Sequence, residues 1–171
     1  MRYTGKFIVV EHNAKKARLH WDLRFEMPKN KRIWMSFAVR KGIPLKPGQK
    51  VLAVRTHDHT KEEALFLGTI KTGYGAGTLK KWDDGNYVIH KFGTGHIAIE
   101  FKGRKVKGLY HLVSTGVVDR DYKKQTYMLF KGKIVAEKLG MLSKIPSRGI
   151  KDDTEQGERE DGGGETLSWS L

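Results

Sequence analysis

The sequence predicts a mainly β protein, an antiparallel β-barrel or strongly curved sheet with a few short helices. About ten short β-prone runs recur along the chain, glycine-rich or Asp/Asn-containing turns separate them, and long helical periodicities are scarce. In order, the runs are Phe7 to Val10, His20 to Glu26, Ile33 to Val39, Val51 to Arg55 and Ala64 to Ile70, each rich in β-branched or aromatic residues. Thr78 to Trp82 and Asn86 to Lys91 flank Asp83-Asp84-Gly85, which reads as a hairpin turn, and Gly93-Thr94-Gly95 precedes His96 to Phe101. Leu109 to Val113 and Thr126 to Lys131 complete the set. The expected helices are a turn at Lys61 to Ala64 and a short helix at Ile134 to Leu142. Alternation nominates Trp21, Leu23, Phe25, Trp34, Phe37, Val39, Leu52, Val54 and Leu67 for the core.

The 171 residues suit one domain with a sizeable core, here residues 1–145. From Pro146 the composition turns charged and glycine-rich, so residues 146–171 read as a flexible tail. No apolar run approaches the roughly 20 residues of a membrane span and the first ten residues lack a signal-peptide core, so a cytoplasmic protein is expected. The absence of cysteine excludes disulfides, thiolate metal sites and a cysteine nucleophile; any metal must be held by His, Asp and Glu. Imidazole with carboxylate suits manganese, zinc or iron(II). Net charge is +14, and residues 151–171 hold two of the 33 Lys and Arg and seven of the 19 acids, leaving +19 on the rest. A polyanion is the partner such a surface fits, nucleic acid before membrane, since no basic amphipathic helix is present.

The densest chemistry lies between His12 and Glu26. On a strand, His20, Asp22, Arg24 and Glu26 share one face while Trp21, Leu23 and Phe25 share the other. Residues two apart lie roughly 6.5 to 7 Å apart along the strand, near enough for an imidazole and a carboxylate to converge on one metal. His12 is placed to add a third ligand from upstream, and Arg24 sets a phosphate-binding cation beside the ligands. The competing reading of the same pattern is the solvated face of a half-buried sheet.

A second cluster, Thr56-His57-Asp58-His59, follows a predicted strand. His57 and His59 share a face if the chain stays extended, and suit either metal binding or proton donation to a phosphoryl or leaving oxygen. Lys41, after the strand ending at Val39, is a further cation for the same site or a solvated lysine. Gly73-Tyr74-Gly75-Ala76-Gly77-Thr78 lacks the Gly-Lys-Ser/Thr ending of a phosphate-binding loop and reads as a tight structural loop, so no nucleotide cofactor is expected. His90, His96 and His111 read as structural or surface groups.

Together, His12 with His20-Trp21-Asp22-Leu23-Arg24, Ser36-Phe37-Ala38-Val39-Arg40-Lys41-Gly42, Asp58-His59, and Tyr74-Gly75-Ala76-Gly77-Thr78 before Trp82-Asp83 resemble the 3′-phosphoesterase module of DNA ligase D, in the same order over roughly residues 6–131. The resemblance implies a β-barrel with a concave active site, and manganese-dependent trimming of DNA or RNA-DNA 3′ ends. A phosphodiesterase step would remove a terminal ribonucleoside, and a phosphomonoesterase step would then remove the 3′-phosphate to leave a 3′-hydroxyl for DNA repair. It also implies metal ligation by His12, His20 and Asp22, and contact of Arg24, Lys41 and His59 with the reacting phosphate. A DNA ligase or another end-joining protein is the implied partner. The chain departs from the pattern in placing eight positions between His12 and His20, two more than the family spacing. It also has Val10 where glutamine is usual, His57 where an acid is common and Glu63 where a tyrosine is common. The alternatives are a non-catalytic basic barrel that binds nucleic acid and a barrel with a purely structural metal; neither needs phosphate-binding cations beside metal ligands.

Overall fold

The structure, a computed structural model, describes residues 2–120 and 123–132. The strands are β1 (Tyr3–Ala14), β2 (Arg18–Met27), β3 (Asn30–Val39), β4 (Lys50–Arg55), β5 (His59–Thr60), β6 (Gly68–Ile70), β7 (Gly77–Phe92), β8 (His96–Lys102), β9 (Lys107–Val118) and β10 (Gln125–Lys131), with one helix, α1 (Lys61–Leu65), between β5 and β6. Eight of the strands close a barrel in the order β1-β2-β3-β4-β10-β9-β8-β7, with β7 pairing back onto β1, so the expected antiparallel barrel is present. Closure removes the unpaired edges that an open sheet of this size would expose. The expected helix at Ile134 to Leu142, the boundary near residue 145 and the tail lie outside the described residues.

The pleat sorts the side chains. Phe7 and Val9 of β1, Leu23 and Phe25 of β2, Phe37 and Val39 of β3, Ile97, Ile99 and Phe101 of β8, and Tyr110 and Leu112 of β9 fill the interior. Tyr87 and Tyr110 bury their rings there and donate their hydroxyls to the carbonyls of Glu26 and Pro44, each at 2.6 Å, so neither phenol is left unsatisfied. The outward residues of the β1-β2-β3 wall form a second layer. Ile8, Val10, Trp34 and Leu79 pack with Ala64 of α1 and with Ile70 of β6. The β5-α1-β6 excursion therefore lies on the outside of the barrel and covers one wall.

Four expectations are corrected. Asp83-Asp84-Gly85 is not a hairpin turn, because β7 runs unbroken through it and bulges opposite Val9 and Val10. The Asp83 carboxylate instead accepts the backbone N–H groups of Arg104, Lys105 and Val106 at 3.0, 3.0 and 2.8 Å, closing the turn between β8 and β9. Gly85 serves close approach rather than a turn, since a β-carbon there would strike the carbonyl of Lys102. The run Ala64 to Ile70 is not one strand: α1 continues to Leu65, under a capping box of Thr60 and Glu63, and only Gly68–Ile70 pairs. Leu67, expected in the core, is 42% exposed between the two. Trp21 is only partly buried, whereas the other nominated core residues are buried as expected.

On the opposite wall, His96 Nε2 and His111 Nδ1 lie 2.8 Å apart and His111 stacks on Phe130, so these histidines are paired rather than isolated. Burial, with Lys91 nearby, lowers His96 to a pKa of about 4. Burial, His96 and Lys91 lower His111 to about 3. Both values lie below that of the unfolded chain, which therefore takes up protons first; the stabilisation is complete above pH about 6.5 and is lost as pH falls through the window beneath it. The urea midpoint should fall between pH 7.5 and pH 5, and His96→Gln with His111→Gln should narrow that difference; an unchanged pH dependence in the double variant would contradict the assignment.

Candidate metal and phosphate site

The outward face of β2 carries His20, Asp22 and Arg24, and the neighbouring register of β1 sets His12 directly opposite His20. The eight-position gap between the histidines is absorbed by a short turn, after which Ala14 pairs with Arg18 and the ladder brings His12 and His20 to 4.7 Å between ring centroids. All four side chains are buried, Asp22 to 6% exposure. The predicted face is thus present, but it is not solvated: the segment from Thr56 to Ala76 encloses it in a groove of about 750 Å³.

The hydrogen bonds determine which ring atoms are available. His12 Nε2 lies 2.9 Å from the Gly75 carbonyl and His20 Nδ1 lies 2.9 Å from the Arg18 carbonyl. A carbonyl only accepts, so each of these nitrogens carries its proton. The other nitrogen of each ring then points a lone pair at Asp22, with His12 Nδ1 3.2 Å from Oδ2 and His20 Nε2 3.1 Å from Oδ1. Lone pairs facing a carboxylate at that distance repel unless a cation, either a proton or a metal ion, lies between them. Edges near 3 Å also match a coordination sphere with bonds of about 2.0 to 2.2 Å. The outer N–H groups anchored on backbone carbonyls are the second-layer bonds that orient histidine ligands. The donor set therefore fits a divalent metal held by two imidazoles and one carboxylate.

Electrostatics follows from the same contacts. Burial alone would raise the Asp22 pKa, but its contacts with the His12 and His20 rings, which donate to it when protonated, and the charge of Arg24 hold it well below the usual carboxylate range. Burial alone would lower that of His20, and the hydrogen bond and charge of Asp22 more than reverse this, so it lies above the ordinary imidazole value. Arg24 donates Nη2 to Asp22 Oδ2 at 2.9 Å and Nη1 to the carbonyls of Ala64 and Glu63 at 3.0 and 3.3 Å, which fastens α1 to the wall. Its Nε, and the hydroxyl of Ser36 on the paired position of β3, are buried without a hydrogen-bond partner among the described residues. His59, on β5 beside Trp34, is half-buried at the groove; burial, then Arg24 and His57, lower it to about 4, so its ring is neutral near pH 7.

The structure thus brings His12, His20, Asp22, Arg24 and His59 to one groove, with the exposed His57 ring tilted against that of His59, 4.5 Å between centroids. Lys41 is exposed in the turn after β3 and does not line the groove, and Asp58 pairs with Arg55 at 2.7 Å. Glu63 spends one carboxylate oxygen on its helix cap, accepting the Thr60 N–H at 2.8 Å. Phe66 and Lys124 also line the groove and were not picked out from the sequence, while Ser36 and Tyr74 entered there only as members of longer motifs. An orphaned hydroxyl leaves no mark in a sequence, and Phe66 lay inside a run that reads as one strand.

Residues 10–114 match the family model described as the DNA ligase D 3′-phosphoesterase domain. The multifunctional non-homologous end joining protein LigD of Mycolicibacterium smegmatis is 39% identical over 122 residues, covering 64% of this chain and 15% of that protein. LigD of Pseudomonas aeruginosa is 36% identical over 118 residues, covering 66% of this chain and 14% of that protein. LigD of Mycobacterium tuberculosis is 37% identical over 114 residues, covering 64% and 14%. The chain therefore spans about one seventh of the length of these relatives. The motifs His20 to Arg24, Ser36 to Gly42 and Tyr74 to Thr78 lie within the matched span together with the candidate ligands His12, His20 and Asp22, and the chain belongs to the DNA ligase D 3′-phosphoesterase domain family.

Proposed function

We propose that this protein is a metal-dependent phosphoesterase that heals 3′ ends of nucleic acid in end-joining repair. Manganese is the proposed metal, and a DNA ligase or another end-joining protein the proposed partner. The carrying observation is the convergence of two imidazole lone pairs and one carboxylate beside a buried arginine in an open groove. The relatives are named for non-homologous end joining, which supports the setting. The net charge of +19 on residues 1–150 suits a polyanionic substrate. A cytoplasmic location fits this role; among the described residues no helix is long and apolar enough to cross a membrane.

His12, His20 and Asp22 would hold Mn²⁺. A bound Mn²⁺ supplies Lewis acidity toward a phosphoryl oxygen and a nucleophilic water. The protein's own groups provide the rest. Arg24 offers Nε, and Ser36 its hydroxyl, to non-bridging oxygens that gather charge as water attacks. His59, neutral at working pH, donates an N–H to the phosphoryl group or protonates the leaving oxygen once the dianion beside it raises its proton affinity. Lys41, in the turn at the end of β3, attracts the backbone phosphates rather than the reacting one. The reaction begins as a phosphodiesterase step on a 3′-terminal ribonucleoside and continues as a phosphomonoesterase step on the 3′-phosphate.

A labelled primer ending in one 3′ ribonucleotide should shorten with Mn²⁺ and not with chelator, with mass spectrometry resolving a 3′-phosphate and then a 3′-hydroxyl. His20→Ala, Asp22→Asn and His59→Ala should each lower the rate at least about 100-fold with the barrel intact by circular dichroism. Tight, salt-sensitive binding without product would instead mark a binding module. Because a proton competes for the His20 lone pair and is held there more tightly than in a free imidazole, Mn²⁺ affinity by calorimetry should rise from pH 6 to pH 8 with proton release. Affinity independent of pH would exclude these imidazoles as ligands.

A further inference from the structure

Four of the eight large exposed hydrophobic side chains among the described residues, Leu65, Phe66, Leu67 and Tyr74, fall within one ten-residue stretch, the part of the covering segment that borders the groove. Two of them, Phe66 at 46% exposure and Tyr74 at 54%, line the groove itself. Exposed aromatics in such a cluster cost solubility and are retained where they meet a partner.

Both residues are tied to the site through the backbone beside them. Tyr74 precedes Gly75, whose carbonyl accepts the His12 Nε2 proton at 2.9 Å, so its Cα lies only about 3.8 Å along the chain from a residue that positions a metal ligand. Phe66 is the C-cap of α1, with its N–H on the Glu63 carbonyl at 3.4 Å, and the Glu63 and Ala64 carbonyls are the ones that bind Arg24. Its ring lies beside Gly68, where a β-carbon would meet Cζ at an ordinary contact distance of 3.7 Å. The lining of the groove is therefore of two kinds, the buried polar group of His12, His20, Asp22 and Arg24 and the two exposed aromatic side chains. A ligand that fits it has a phosphate at one end and a flat apolar body at the other. A lipid would offer no planar face and a peptide no phosphate diester.

We propose that Phe66 and Tyr74 form a stacking platform for the nucleobases of the 3′-terminal nucleotides, so that the groove takes an unpaired 3′ end and reads its bases by π-contact without regard to sequence. This rests on the proposed phosphoesterase reading, and it adds the class of end that is accepted. A paired terminal base is already stacked on its neighbour and hidden from the rings, so a blunt duplex end must fray before it enters. A single-stranded 3′ end carries no such cost.

The test is anisotropy binding of single-stranded oligonucleotides with a 3′-phosphate, in chelator, comparing normal terminal nucleotides with abasic ones of the same charge. Wild-type protein should bind the abasic end about tenfold more weakly. Phe66→Ala and Tyr74→Ala should lose about that factor on the normal end and almost nothing on the abasic end, while Tyr74→Phe keeps wild-type behaviour; melting temperatures report that each variant is folded. Equal loss on both ends, or no loss, would overturn the platform. Manganese-dependent cleavage that ignores the abasic substitution would sink this inference and leave the phosphoesterase reading standing. Base-dependent binding with no cleavage in any metal would do the reverse.

Discussion

The Asp22 carboxylate is the point on which the site depends. It is buried to 6% exposure and shares its two oxygens among His12, His20 and Arg24. A buried carboxylate is costly unless paired, and removing its partners typically costs about 3 to 5 kcal/mol. Each of its three partners is in turn fastened to backbone: His12 to the Gly75 loop, His20 to Arg18 at the start of β2, Arg24 to the end of α1. One ionised group thus ties the covering segment to the wall and orients the rings for a cation. The same contacts that stabilise the enclosure make it a ligand set.

The barrel makes this possible by separating two tasks. Its interior takes the packing residues, leaving the outward face of β1, β2 and β3 for polar chemistry, and the ladder fixes spacings to within a pleat. Sites built on paired strands hold their geometry more precisely than sites on loops. The excursion from Thr56 to Ala76 supplies the opposite side, where His59 and the aromatic residues sit.

How much of this was legible in the sequence follows from the range of each interaction. The alternation of Trp21, Leu23 and Phe25 with His20, Asp22 and Arg24 was readable because a strand's period is local; His12 was readable only as an upstream candidate, since the first strand was expected to end at Val10 and its pairing opposite His20 is a cross-strand contact. The burial of the polar face was not, because its cover comes from residues more than thirty positions further on. Asp83-Asp84-Gly85 looked like a turn because those residue types bond locally in turns; here the carboxylate serves a distant turn at Arg104 to Val106. Leu67 looked like core by composition, yet only Ala64 of that run is buried, since a five-residue helix has room for one inward side chain. Ser36 and Phe66 gain meaning only from what surrounds them in space.

The central claim is that one cation is shared by Nδ1 of His12, Nε2 of His20 and a carboxylate oxygen of Asp22. Anomalous diffraction at the manganese absorption edge from crystals grown with Mn²⁺ measures this directly. The account predicts a single strong peak bonded to those three atoms at about 2.0 to 2.3 Å, with Arg24 retained on Asp22. A peak elsewhere on the barrel, or none while His12 and His20 keep their present contacts with Asp22, would contradict it.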